Sequence, residues 1–131
     1  LTVPSPTPGI SLDGTPSTYR MVNPQSETIP ENASGTLFDR DLIITVVSSD
    51  YQYENGVPIY RVIAVIGSPG QPNHRIEGEE VGYSTTYTIT RTVTIAYPTY
   101  TVTKSVIREY EVRIIGADLF SAEFFVTLTE K

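Results

Sequence analysis

The 131-residue chain holds one histidine, His74, and no cysteine. A thiolate metal site is therefore closed to it, and an imidazole site would need carboxylates for every remaining ligand. His74 lies in a Gly- and Pro-rich stretch, Gly67–Arg75 (GSPGQPNHR), and is expected to be a solvated loop residue. A Ser-His-Asp triad needs a serine presented on a sharp strand-to-helix turn, and no nucleophile-elbow pattern occurs. Carboxylates are the next candidates. Glu109 and Glu111 alternate onto one face of a strand, and Glu77, Glu79 and Glu80 crowd another position. Glycoside hydrolysis would need two such groups flanking a substrate at a set separation. Calcium would need carboxylate and loop-carbonyl oxygens, and the acidic cluster lacks EF-hand spacing. Acidic residues on a sheet are ordinarily a solvated face. The expectation is a protein that is not an enzyme, with no catalytic residue, no metal and no cofactor.

The charge balance points the same way. The net charge is −6, from 15 acidic and 9 basic residues, and no three basic residues run together. A phosphate-backbone binder needs clustered Lys and Arg, so no nucleic-acid partner is expected. No stretch approaches the ~20 apolar residues of a spanning helix, so no membrane span is expected. The chain opens Leu1-Thr2-Val3-Pro4, without Met and without a signal-peptide pattern, as a processed exported chain would, and as a trimmed chain would too. That suggests an extracellular, cell-surface or virion location. Asn32-Ala33-Ser34 is an N-glycosylation triplet, meaningful only for a secreted chain.

Two repetitive features are left. Threonine occupies Thr86, Thr88, Thr90, Thr92 and Thr94, and after Pro98 it returns at Thr101 and Thr103. Such a row is either a solvated sheet face held by cross-strand Thr pairs or a surface that contacts a repetitive ligand. The nine tyrosines offer apolar rings with a hydroxyl, so carbohydrate is a ligand class they would suit. Most of them alternate onto apolar faces, where core or interface filling is expected.

The elements that carry these residues are strands. Thr, Tyr, Val and Ile are frequent, and they suit a pleated surface. Asp41–Val47 is apolar on both faces and reads as a central, fully covered strand. Asn55-Gly56 is a two-residue type I′ turn signal, followed by a strand over about Pro58–Ile66; Ile44 and Ile63 are taken as core. Thr86–Ala96 alternates strictly, with Tyr87, Ile89, Val93 and Ile95 on its apolar face. After Pro98 the parity reverses, and Tyr100, Val102, Val106, Tyr110, Val112 and Ile114 share the apolar face. Matching faces across this hairpin requires paired numbers with an odd sum. A sum of 195 would set Arg91 against Lys104, so 197 is preferred, with Pro98 at the first corner of the turn. A last strand runs from about Phe120 to Thr129. The fold class is all-β: an antiparallel β-sandwich or small barrel of six to seven strands with an extended N-terminal arm.

Residues 1–36 hold six prolines and favour extended conformations, so they are set apart as an N-terminal arm from a β domain over 37–131. Val3, Ile10, Leu12, Tyr19 and Met21 would anchor the arm. The expected function is a non-catalytic structural subunit of a self-assembling virion or surface filament such as a pilus. It would form a homo-oligomer or polymer in which the arm contacts a neighbouring subunit. The alternative is an extracellular ligand-binding module, for carbohydrate or adhesion, on a Ser/Thr/Pro linker.

Overall fold

The computed structural model describes residues 22–131, and within them the chain forms eight strands and no helix. The strands are β1 (Gln25–Pro30), β2 (Ala33–Leu37), β3 (Leu42–Glu54), β4 (Val57–Gly67), β5 (His74–Glu79), β6 (Ser84–Ala96), β7 (Thr101–Ala117) and β8 (Ser121–Glu130). They make two antiparallel four-stranded sheets, ordered β1-β8-β7-β6 and β2-β3-β4-β5. The sheets do not close into a barrel, so the fold is sandwich-like. Strands begin at Gln25, within the proline-rich stretch. Pro24 precedes β1 and Pro30 ends it, on a sheet edge where a missing N–H is tolerated. The chain divides into two compact units. The larger spans Asn23–Ile89 and Glu109–Thr129; the smaller contains Thr90–Arg108 and Glu130–Lys131. Strands β6 and β7 run through both.

The core of the larger unit follows from period-2 alternation. One sheet contributes Ile29, Tyr110, Val112, Ile114, Phe124 and Val126; the other contributes Leu42, Ile44, Val46, Val62, Ala64 and Ile66, all buried. Polar groups tie the two sheets together. The Tyr110 hydroxyl donates to the Asp41 carboxylate, and the buried Ser49 hydroxyl donates to the Asp118 carbonyl. At one margin the chain crosses between sheets at Glu31-Asn32, where the Asn32 N–H donates to the Val46 carbonyl at 2.8 Å. At the other margin the Tyr87 hydroxyl donates to the Pro72 carbonyl at 2.7 Å, and Thr85 Oγ1 lies 3.0 Å from His74 Nε2.

Three turns show the local chemistry at work. Asn55 and Gly56 have φ of 53° and 79°, and Glu54 pairs Val57, which is the expected type I′ hairpin. The Tyr97 N–H donates to the Tyr100 carbonyl, with Pro98 at the first corner. The β2–β3 connection is less ordinary. Phe38, Asp39 and Arg40 are consecutively left-handed, with φ of 53°, 55° and 68°. Each such residue costs roughly 1–2 kcal/mol. The buried Phe38 ring, 5.2 Å from that of Tyr110, offsets this, as does the Phe38 N–H donating to Gln25 Oε1.

The structure departs from the sequence-based expectation in three places. Strand β3 is not fully covered. Leu42, Ile44 and Val46 are buried, whereas Ile43 and Thr45 on its other face are half-buried, because among the described residues no further sheet lies over that face. A register shift between Val46 and Ser48 turns Val47 out to 38% exposure and puts Ser49 inside. Ile63 pairs Ser48 on the outer face and is half-buried, so it is not core. The strand count is eight rather than six or seven, because β1, β2 and β5 are short and held mainly by main-chain pairing.

Candidate interaction surface

Within the smaller unit, the two strand segments Thr90–Ala96 and Thr101–Arg108 form a ribbon. The turn bond from Tyr97 to Tyr100 fits the sum of 197, as does the Ile114 N–H donating to the Tyr83 carbonyl at 2.9 Å within the larger unit. The register read from the alternation is thus the observed one. It sets Thr94 Oγ1 3.4 Å from Thr103 Oγ1 and stacks Tyr97 on Tyr100, with ring centroids 4.8 Å apart and planes at 22°.

Both faces of the ribbon meet solvent. Thr90, Thr92, Thr94, Thr101 and Thr103 are exposed, as are Thr86 and Thr88 at the start of β6. On the apolar face Val93 and Ile95 are half-buried, while Tyr97, Tyr100 and Val102 are exposed. The charge is local as well. The smaller unit carries Arg91, Lys104, Arg108 and Lys131 against Glu130 alone among its described residues. In a chain of net charge −6 this is a basic patch, and nearly all the carboxylates lie on the larger unit. Arg108 Nε donates to Glu130 Oε2 at 2.7 Å.

Strand β8 ends beside β7. The Ile107 and Lys131 main chains exchange bonds of 3.2 and 2.8 Å. Odd residues of β7 therefore point their main-chain groups toward the β8 side, and even residues point theirs toward β6. Beyond Lys131, Thr101, Thr103 and Ser105 continue the odd set, and no described strand pairs with them. On the opposite side β6, 13 residues long, is the outermost of the described strands in its sheet.

A second group of exposed aromatics lies on the β3–β4 hairpin. Tyr51 and Tyr53 have ring centroids 5.4 Å apart, and Tyr51 lies 5.5 Å from Tyr60. The Tyr53 hydroxyl bond holds the Tyr51 phenol above its usual value. This trio was missed in the sequence, although it was encoded there. Asn55-Gly56 fixes paired sums of 111, which sets Tyr51 opposite Tyr60, and Tyr53 follows Tyr51 on the same face.

His74, Glu77 and Glu80 make ordinary contacts. His74 is paired with Thr85. Arg75 bonds Glu77 at 3.0 Å, and Arg61 bridges Glu54 at 2.7 Å and Glu80 at 3.4 Å. Among the described residues no group of three His, Cys, Asp or Glu could hold a metal ion, and no helix is long and apolar enough to cross a membrane. Asn32 is exposed, with φ of 61° in the β1–β2 turn. Val3, Ile10, Leu12, Tyr19 and Met21 lie outside the described residues. Comparison with protein-family models, with curated proteins and with solved structures finds no match.

Proposed function

We propose that this chain is a non-catalytic structural subunit that assembles with copies of itself, in a virion or an extracellular filament, with its N-terminal arm reaching a neighbour. The supporting observation is β6, the outermost of the described strands of its sheet, which has 13 residues, carries Arg91 as its single charge and contains no proline. Monomeric proteins ordinarily blunt such an edge with charges, prolines or a covering segment, because its free main-chain groups template pairing with another chain. Exposed Tyr97, Tyr100 and Val102 on the same ribbon add apolar area of the kind enriched at interfaces.

Sedimentation velocity of the full chain and of a variant lacking residues 1–17 tests the reading. The full chain is expected to show concentration-dependent heavier species. The truncated chain is expected to stay folded and to sediment as a monomer. Unchanged assembly after truncation would remove the arm from the account.

A ligand-binding module is the second reading, and two tyrosine groups favour it: exposed Tyr97–Tyr100, and exposed Tyr51 and Tyr53 beside the half-buried Tyr60. Saturable binding of a glycan by the monomer, lost in Tyr97→Ala or Tyr53→Ala, would select it over assembly.

A further inference from the structure

One end of the larger unit carries an exposed aromatic shelf. There the Ser49 hydroxyl donates to the carbonyl of Asp118, in the turn between β7 and β8, so the opposing sheet ends over Ser49. Strand β3 runs on past that level to Glu54. Tyr51 and Tyr53 follow Ser49 on the same face by alternation, and no described strand lies over them. Tyr53 is 67% exposed; in the turn itself Leu119 is exposed and Phe120 is 71% exposed. None of these four side chains is charged. An exposed apolar patch of this kind marks a surface that something covers.

At the rim of the shelf stands the triplet Asn32-Ala33-Ser34. The Glu31 N–H donates to the Phe120 carbonyl and the Asn32 N–H to the Val46 carbonyl, both at 2.8 Å, so the main chain is fixed on either side of this corner. The Glu31 carboxylate accepts from the Ser49 N–H at 2.8 Å, which ties the corner to β3 below the tyrosines. The Asn32 side chain is different. In a left-handed turn position an asparagine amide ordinarily bonds nearby backbone. Here it is exposed and has no hydrogen-bond partner among the described residues. Ser34, two residues on, supplies the hydroxyl that glycan transfer to asparagine requires, and residue 33 is not proline.

We propose that Asn32 is an N-glycan acceptor and that its oligosaccharide lies along the shelf, on Phe120 and then on Tyr51 and Tyr53. In the transfer, Asn32 Nδ2 bonds to the anomeric carbon of an oligosaccharide carried on a lipid pyrophosphate. The bond from that carbon to the phosphate oxygen breaks, the pyrophosphate leaves with the electron pair, and the amide gives up one proton. Three observations make a glycan the occupant. The acceptor adjoins the shelf, one residue from the Glu31 N–H that meets Phe120. The shelf offers rings for the apolar C–H faces of sugars and phenol hydroxyls for their oxygens, with no charge to desolvate. The area is also too small for a second copy. Three aromatic side chains of about 150–250 Å² each, 40–71% exposed, offer roughly half of the ~800 Å² that a stable dimer takes from each partner.

This inference rests on the extracellular part of the proposed function. The experiment compares the full chain secreted from a cell that N-glycosylates its exported proteins with the same chain made in a bacterial host without that chemistry. The readouts are intact mass, urea melts and proton NMR. The secreted parent and Ser34→Thr should carry a glycan on Asn32, and Ser34→Ala should carry none. Sugar C–H protons of the glycosylated chain should shift upfield over the rings, and its urea midpoint should exceed that of the bacterial chain. Both effects should shrink in Phe120→Ala and in Tyr51→Ala, whose exposed side chains leave the fold intact, with the glycan still attached. A secreted parent without a glycan would overturn the proposal. So would an attached glycan with neither the ring shift nor the gain in midpoint. Either result in a chain that still sediments as an assembly leaves the assembly reading standing; in a chain that stays monomeric at every concentration it overturns both.

Discussion

Tyr110 shows how much a single side chain carries in a domain without cysteine. Its ring is fully buried against Phe38, and its hydroxyl donates to Asp41 at the end of the left-handed turn. Tyr110→Phe keeps the ring and removes the hydroxyl bond to the Asp41 carboxylate. The expected loss is on the order of 1–3 kcal/mol, read as a lower urea midpoint with an unchanged slope. Asp118 works in the opposite chemical sense. Its carboxylate accepts from the Phe120 N–H foremost, and then from the Ser121 hydroxyl and N–H, which hold it below its ordinary value of 3.8. A carboxylate depressed in the folded state binds fewer protons there than in the unfolded chain. Its contribution is therefore present above the ordinary value and is lost as pH falls through the folded one. Urea melts from about pH 5 to about pH 2 should show a shallower acid loss in Asp118→Asn than in the parent. Parallel curves would remove Asp118 from the acid limb.

At the scale of elements, legibility tracked side-chain pattern. The β6–β7 hairpin was readable in full, because strict Thr/apolar alternation and a like-charge veto at Arg91 and Lys104 leave one register. The β3–β4 hairpin was readable at its turn, because both Asn55 and Gly56 must take positive φ. Strands β1, β2 and β5 were not readable. Each has five or six residues and a single buried side chain, Ile29, Leu37 and Ile76 respectively, too few to set a period. The bulge after Val46 and the turn at Phe38–Arg40 were invisible for another reason: tertiary contacts hold them against local preference. The threonine face of the candidate surface was legible, whereas the point at which β8 stops beside β7 was not, since that depends on sheet order. Two substitutions test the assigned faces. Ile44→Asp places a charge in the core and should unfold the domain, while Ile63→Asp, on the half-buried outer face, should leave a cooperative melt. Gly35→Ala tests the β1–β2 packing. Its Cβ would come within 2.8 Å of Ile29 Cγ1 and Cδ1, and a loss of roughly 1–3 kcal/mol is expected.

For the whole molecule, the uneven charge bears most on association. Under the proposed assembly, the opposite charges of the smaller and larger units would favour contacts between unlike units of neighbouring copies. Solvent-exposed charges are screened over about 10 Å at 0.1 M salt, so this part of the attraction weakens as salt rises, whereas main-chain pairing at a strand edge does not. Sedimentation velocity of the intact chain, across a wide concentration range at low and at high salt, is the most direct check. Concentration-dependent species heavier than the monomer, enriched at low salt, are predicted. A lone monomer boundary at every concentration and both salts would contradict the account.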